Sequence, residues 1–176
     1  DGFQFANDPL EADLIIVNTC GFIEDAKKES IENILDMISY KEDYPEIKVL
    51  VTGCLAERYQ GQIFEEIPEV DGVIGIGANE DICEICHKML DGEKAESFPP
   101  KENLKIEGDR VLTTPPYSAY LKIAEGCSNH CTYCAIPSIR GPFRSRPSES
   151  IIAEAKDLAE KGVKELVVVA QDTTRY

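Results

Sequence analysis

Short apolar runs rich in β-branched residues alternate with helix-period segments three times before Gly92, and this alternation restricts the chain to an α/β fold with a parallel sheet. Leu14 to Asn18 (LIIVN) reads as a buried parallel strand. A turn at Thr19-Cys20-Gly21 leads into a helix from Ile23 to about Tyr40, with Ile31, Ile34, Leu35 and Ile38 on one buried face. Ile47 to Val51 (IKVLV) gives a second strand, followed by Thr52-Gly53-Cys54 and a helical segment from Leu55 to Glu66. Asp71 to Ile76 (DGVIGI) gives a shorter third strand, weakened by its glycines. Asn79 is a candidate cap for a helix running to Leu90, with Gly92 as its stop.

In open parallel sheets, function gathers outside the carboxyl ends of the strands. Cys20 and Cys54 each fall just past a strand end, so they should emerge at the same sheet edge as a pair. The alternative for each is a small buried hydrophobe.

Residues 92–118 change character, with Pro99, Pro100, Pro115 and Pro116 among charged and polar residues, and read as a linker in which only Arg110 to Leu112 suggests extension. A second domain opens at residue 119. Ala119 to Ala124 (AYLKIA) is a strand, Glu149 to Lys161 a helix stopped by Gly162, and Glu165 to Ala170 (ELVVVA) another buried strand. One βαβ unit cannot bury both faces of its sheet, and the chain opens at Asp1 without Met. We therefore expect a piece of a longer protein, with domains at 1–91 and 119–176 that are both incomplete and an activity well below that of the intact protein.

The seven cysteines are an odd number, so they cannot all pair within the chain. No apolar run approaches the roughly 20 residues that cross a bilayer, and the N-terminal stretch lacks the pattern of a secretory signal. A reducing cytoplasm is the expected setting, where clustered thiols bind metal or do chemistry. The net charge of −15 repels phosphate backbones and favours a basic partner, although acidity also serves solubility alone.

Between Gly126 and Cys134 the spacing is C-x3-C-x2-C, formed by Cys127, Cys131 and Cys134 just past a strand. Three thiolates from one tight loop can hold three corners of a 4Fe–4S cube, whereas electron-transfer clusters of this type take four. The fourth iron then keeps an open position. The alternative is a zinc site completed by His130, but His130 abuts Cys131, and zinc motifs usually come as two separated pairs.

This motif, with an aromatic Tyr133 before its last cysteine, resembles the signature of the radical S-adenosylmethionine superfamily. The resemblance implies a partial TIM-like barrel, in which the open iron is chelated by the cofactor's methionine group, Tyr133 lies beside its adenine, and Gln171 and Asp172 contact its methionine moiety. For Tyr133 the alternative is packing, and for Gln171 and Asp172 it is strand termination. The strings NTCGFIEDAKKESI (Asn18 to Ile31), TGC (Thr52 to Cys54), YLKIAEGCSNHCTYCAIPSIRG (Tyr120 to Gly141), SRP (Ser145 to Pro147) and AQDTTRY (Ala170 to Tyr176) are together similar to the methylthiotransferases of that superfamily. They look closest to the branch that adds a methylthio group to the β-carbon of an aspartate in a small-subunit ribosomal protein. The AQDTT ending and the GFI after Cys20 favour that branch over the transfer-RNA-modifying one.

The family implies two 4Fe–4S clusters in the intact enzyme, S-adenosylmethionine, and an electron donor of the reductase or flavodoxin type. Cys20 and Cys54 match two of three ligands to the second cluster, with the third expected upstream of Asp1. Nucleic acid is not expected as a partner of this part of the chain, nor is a membrane. The competing class is a non-catalytic iron–sulfur or zinc module.

Three weaker signals stand apart. Cys83-Glu84-Ile85-Cys86-His87 has the form of a haem attachment motif but sits inside a helical pattern with Ile82, Met89 and Leu90, so a helix with one buried and one half-exposed thiol is expected. Gly75-Ile76-Gly77 reads as a tight turn. Arg140, Arg144 and Arg146 form the one dense basic spot, suited either to a carboxylate or to plain solvation.

Overall fold

The structure is a computed structural model and describes residues 2–101, 104–106, 108 and 110–176. Residues 102, 103, 107 and 109 of the expected linker lie outside the described residues, as does Asp1. The chain divides into two compact units, Asp1–Leu104 and Lys105–Tyr176.

The first unit is built on four parallel strands in the order β1 (Leu14–Thr19), β2 (Lys48–Gly53), β3 (Gly72–Ile74) and β4 (Ala95–Ser97). β1 and β2 pair from Leu14↔Lys48 to Thr19↔Gly53. The continuous apolar run of β2 is explained by its place inside the sheet, where both faces are covered. Val49 and Val51 join one core cluster with Ile34 of α1 (Glu24–Ser39), Leu55 and Ala56 of α2 (Cys54–Tyr59) and Ile63 of α3 (Gln62–Glu66). Leu50, pointing the other way, packs with Ile85, Cys86 and Met89 of α4 (Ile82–Leu90). Alternate side chains of one strand thus anchor helices on opposite faces.

Several expectations are corrected. The helical segment from Leu55 to Glu66 is two helices, because Gln60 adopts a left-handed backbone with φ +46° and breaks it. Asn79 does not cap a helix: Ile76–Asp81 is a 3-10 turn, and α4 begins at Ile82. Gly92 does stop α4, donating its N–H to the Met89 carbonyl at φ +94°. Of the apolar face read on α1, Ile34 is fully buried, but Ile31 and Leu35 are 42% and 50% exposed. These two line a groove of about 810 Å³ between α1 and the α2–α3 pair. Finally, β4 falls in the stretch read as linker. Its Ala-Glu-Ser sequence carries no apolar pattern, and only pairing with β3, from Gly72↔Ala95 to Ile74↔Ser97, makes it a strand.

In the second unit, β5 (Ser118–Lys122) pairs in parallel with β8 (Glu165–Val169), from Ser118↔Glu165 to Lys122↔Val169. The strand expected over 119–124 divides at Ile123. Beyond it β6 (Ala124–Glu125) turns to an antiparallel partner, β7 (Arg144–Ser145). α5 (Ile136–Arg140) lies between these two, and α6 (Ser148–Glu160) connects to β8. Ala119, Leu158 and Val163 form the core, with Leu112 packed against it. β8 was expected to be buried, yet Leu166, Val167 and Val168 are exposed; among the described residues β8 pairs with β5 only. Among the described residues no helix is long and apolar enough to cross a membrane.

Candidate functional site

The parallel register of β1 and β2 places Thr19 opposite Gly53, so Cys20 and Cys54 follow at one sheet edge, as their positions past strand ends predict. Cys20 is exposed and Cys54 half-buried, and neither is in a disulfide. The turn carrying Cys20 is held by residues the sequence reading did not single out. The buried hydroxyl of Ser30, on α1, accepts the Cys20 N–H at 2.9 Å and donates to the Cys20 carbonyl at 3.1 Å. Arg58, on α2, donates to the Gly21 carbonyl at 2.8 Å. Gly21 itself lies so close to the start of α2 that a Cβ would meet the Cys54 backbone at 2.8 Å, which leaves room only for glycine.

The second group of thiols sits on residues 126–143, a loop whose base is the β6–β7 pair. Cys127 and Cys134 are half-buried, Cys131 is exposed, and all three are free. The Cys127 N–H donates to the Gly141 carbonyl at 3.2 Å, and the Cys134 N–H to the Cys131 carbonyl at 3.0 Å. Cys131 and Cys134 share a shallow depression of about 430 Å³ with His130, Pro137 and Ser138, whereas Cys127 lies outside its lining. His130 has a left-handed backbone, φ +50°, which bends the chain between the first two thiols.

Among the described residues, no three His, Cys, Asp or Glu side chains converge on a point where one metal ion would sit. A sulfur-only donor set of free, solvent-accessible thiols on one loop fits an iron–sulfur cluster by its chemistry.

Tyr133 is 89% exposed, so packing does not account for it. Asp172 is half-buried past the end of β8. It accepts from Asn129 of the cysteine loop at 3.0 Å and from the Thr174 N–H and hydroxyl at 3.2 and 2.8 Å. Hydrogen bonds from Thr174 first, then Asn129, hold its carboxyl below the usual aspartate value. Asn129, given no role in the sequence reading, thus links the thiol loop to the end of β8. Gln171 beside it is exposed.

The three arginines divide. Arg146 is only 5% exposed, donating to Glu154 at 2.6 Å, the Lys122 carbonyl at 2.7 Å and Ser150 at 2.9 Å, so neither solvation nor ligand binding describes it. Arg140 reaches Glu125 at 3.4 Å. Arg144 lies in β7. Cys83 and Cys86 lie on α4, half-exposed and buried respectively, as the helical reading expects.

Comparison with known proteins follows the same division. Residues 121–176 match the radical SAM superfamily, and residues 1–75 match a family described as uncharacterized protein family UPF0004. The thiol loop and the β5–α6–β8 unit lie within the stretch that resembles the radical SAM superfamily.

Three relatives carry the name ribosomal protein uS12 methylthiotransferase RimO. That of Lachnoclostridium phytofermentans is 52% identical over 99% of this chain and 40% of its own length. That of Desulforamulus reducens is 52% identical over 100% of this chain and 40% of its own. That of Clostridium tetani is 54% identical over 97% of this chain and 38% of its own. The chain is thus similar to radical SAM methylthiotransferases over nearly its whole length, and it spans about 40% of the length of these relatives.

Proposed function

We propose that the full-length protein is a methylthiotransferase acting in the cytoplasm on the β-carbon of an aspartate in ribosomal protein uS12. The observation that carries this reading is the 52% identity to relatives of that name across the whole described length, thiol loop included. Acid or base chemistry does not readily ionise an unactivated aliphatic C–H bond, so the reaction calls for hydrogen-atom abstraction. When bound, an iron–sulfur cluster with S-adenosylmethionine supplies the one-electron chemistry that does this.

In this reading Cys127, Cys131 and Cys134 hold the cluster that engages the cofactor, and Tyr133, Gln171 and Asp172 contact the cofactor. Cys20 and Cys54 contribute two thiolates to a second cluster, which carries the sulfur to be transferred. The electron arrives from a reductase or flavodoxin. The substrate reading draws support from charge. The first unit holds 24 of the 33 acidic residues and 8 of the 18 basic ones, a formal −16, while the second is close to neutral at +1. Such a surface suits a basic protein and repels a polyanion such as transfer RNA.

The test is anaerobic reconstitution of the full-length protein with iron and sulfide, followed by electron paramagnetic resonance with and without S-adenosylmethionine. A cluster signal that shifts with the cofactor is expected, and a signal indifferent to it would reject the radical reading. Incubation with uS12 and with transfer RNA separately, read by mass spectrometry, then tests the substrate. Methylthiolation of transfer RNA alone would overturn the protein substrate.

A further inference from the structure

The side chain of Glu125 is fully buried immediately before the thiol loop. It faces Lys122 in an ion pair and Arg140 at 3.4 Å, and accepts the Gly126 N–H at 3.2 Å. The two cations come from opposite sides of the loop: Lys122 precedes it on β5, and Arg140 ends α5 within its returning arm.

Other contacts close the same neck. Glu125 is the register partner of Arg144 in the β6–β7 pair. Gly126, at φ +75°, brings its backbone against the Gly141 and Pro142 carbonyls, where a Cβ would collide. The Cys127 N–H reaches the Gly141 carbonyl, and the Phe143 N–H donates to Ser128 Oγ at 3.0 Å. All of these bonds are made by the chain itself.

We propose that Glu125 is a positioning residue. Its buried carboxylate ties the departing and returning arms of the thiol loop together, so that Cys127, Cys131 and Cys134 are held near their working places before any cluster is bound. The proposal rests on the cluster reading above and concerns what shapes the loop. A buried carboxylate left without its cations, or cations left without it, costs more than a neutral bond would, so the neck should open when either side is removed.

The experiment uses the full-length protein carrying Cys20→Ala and Cys54→Ala, so that iron reports on the thiol loop alone. Glu125→Gln, Arg140→Gln and the double variant are compared with the otherwise unchanged protein, and circular dichroism confirms that each is folded. Arg140 is partly exposed, so its replacement keeps the test usable if Glu125→Gln does not fold.

Two quantities are read: hydrogen exchange of residues 127–134 in the iron-free protein, and the rate at which reconstituted protein loses iron to a chelator. We expect exchange in the iron-free loop to accelerate and iron loss to rise on the order of tenfold in each single variant. The double variant should be no worse than Glu125→Gln alone, since both remove one linkage. If the unchanged protein takes up iron and the variants match it in both readouts, the positioning role is overturned while the cluster reading stands. If the unchanged protein takes up no iron, both are overturned.

Discussion

At the scale of single residues, the thiols differ by surroundings more than by sequence. Cys86 is buried under α4, and burial, with the neighbouring Cys83, raises its pKa above the ordinary thiol value. A raised value means less thiolate at any given pH, so Cys86 should be alkylated by iodoacetamide at pH 8 much more slowly than exposed Cys20 and Cys131, as peptide mass spectrometry would show. By linkage, the neutral Cys86 contributes stability that is fully present below about pH 9 and is lost as the pH rises through its raised folded value. Arg146 offers a second test. Arg146→Met removes the guanidinium from Glu154, Ser150 and the Lys122 carbonyl, and should cost about 3 kcal/mol in denaturant titration of the full-length protein. Its spacing in sequence from Arg140 and Arg144 gives no hint of this, because Lys122 and Glu154 approach only when β5 and α6 pack.

At the scale of elements, local pattern identified what local pattern determines. β1 and β2 were legible as continuous apolar runs, and α1 and α6 by their helical period. β4 was not, since three residues of Ala-Glu-Ser acquire strand geometry only from the exposed edge of β3. The thiol spacing was legible as a string, whereas its supports were not: Ser30 lies ten residues from Cys20, and Arg140 fifteen from Glu125. The helical period of α1 correctly marked a face but could not tell which part of it is covered. Ile34→Ala should therefore cost about 3 kcal/mol, and Leu35→Ala on the open groove less than about 1 kcal/mol, both read by thermal unfolding. A loss at Leu35 equal to that at Ile34 would mean that the groove is filled in solution.

At the scale of the molecule, charge is divided between the units as sharply as fold is. With a formal −16 in the first unit and +1 in the second, attraction of a basic partner falls to the first. The association rate of the full-length protein with uS12 should drop on the order of tenfold between 0.05 and 0.5 M salt, measured by stopped-flow fluorescence. A rate indifferent to salt would deny the acidic surface any part in steering. The placement of β4 bears on how the first unit can be cut free. Phe98 is packed against its core, and Lys101 reaches back to the buried Glu57 carboxylate at 2.6 Å. A gene shortened after codon 91 would encode a domain with a raw sheet margin and a buried Glu57 that keeps the Ile76 N–H but loses its cation. Carrying the reading frame past codon 101 would keep the fastening intact, and the two products should differ plainly in soluble yield.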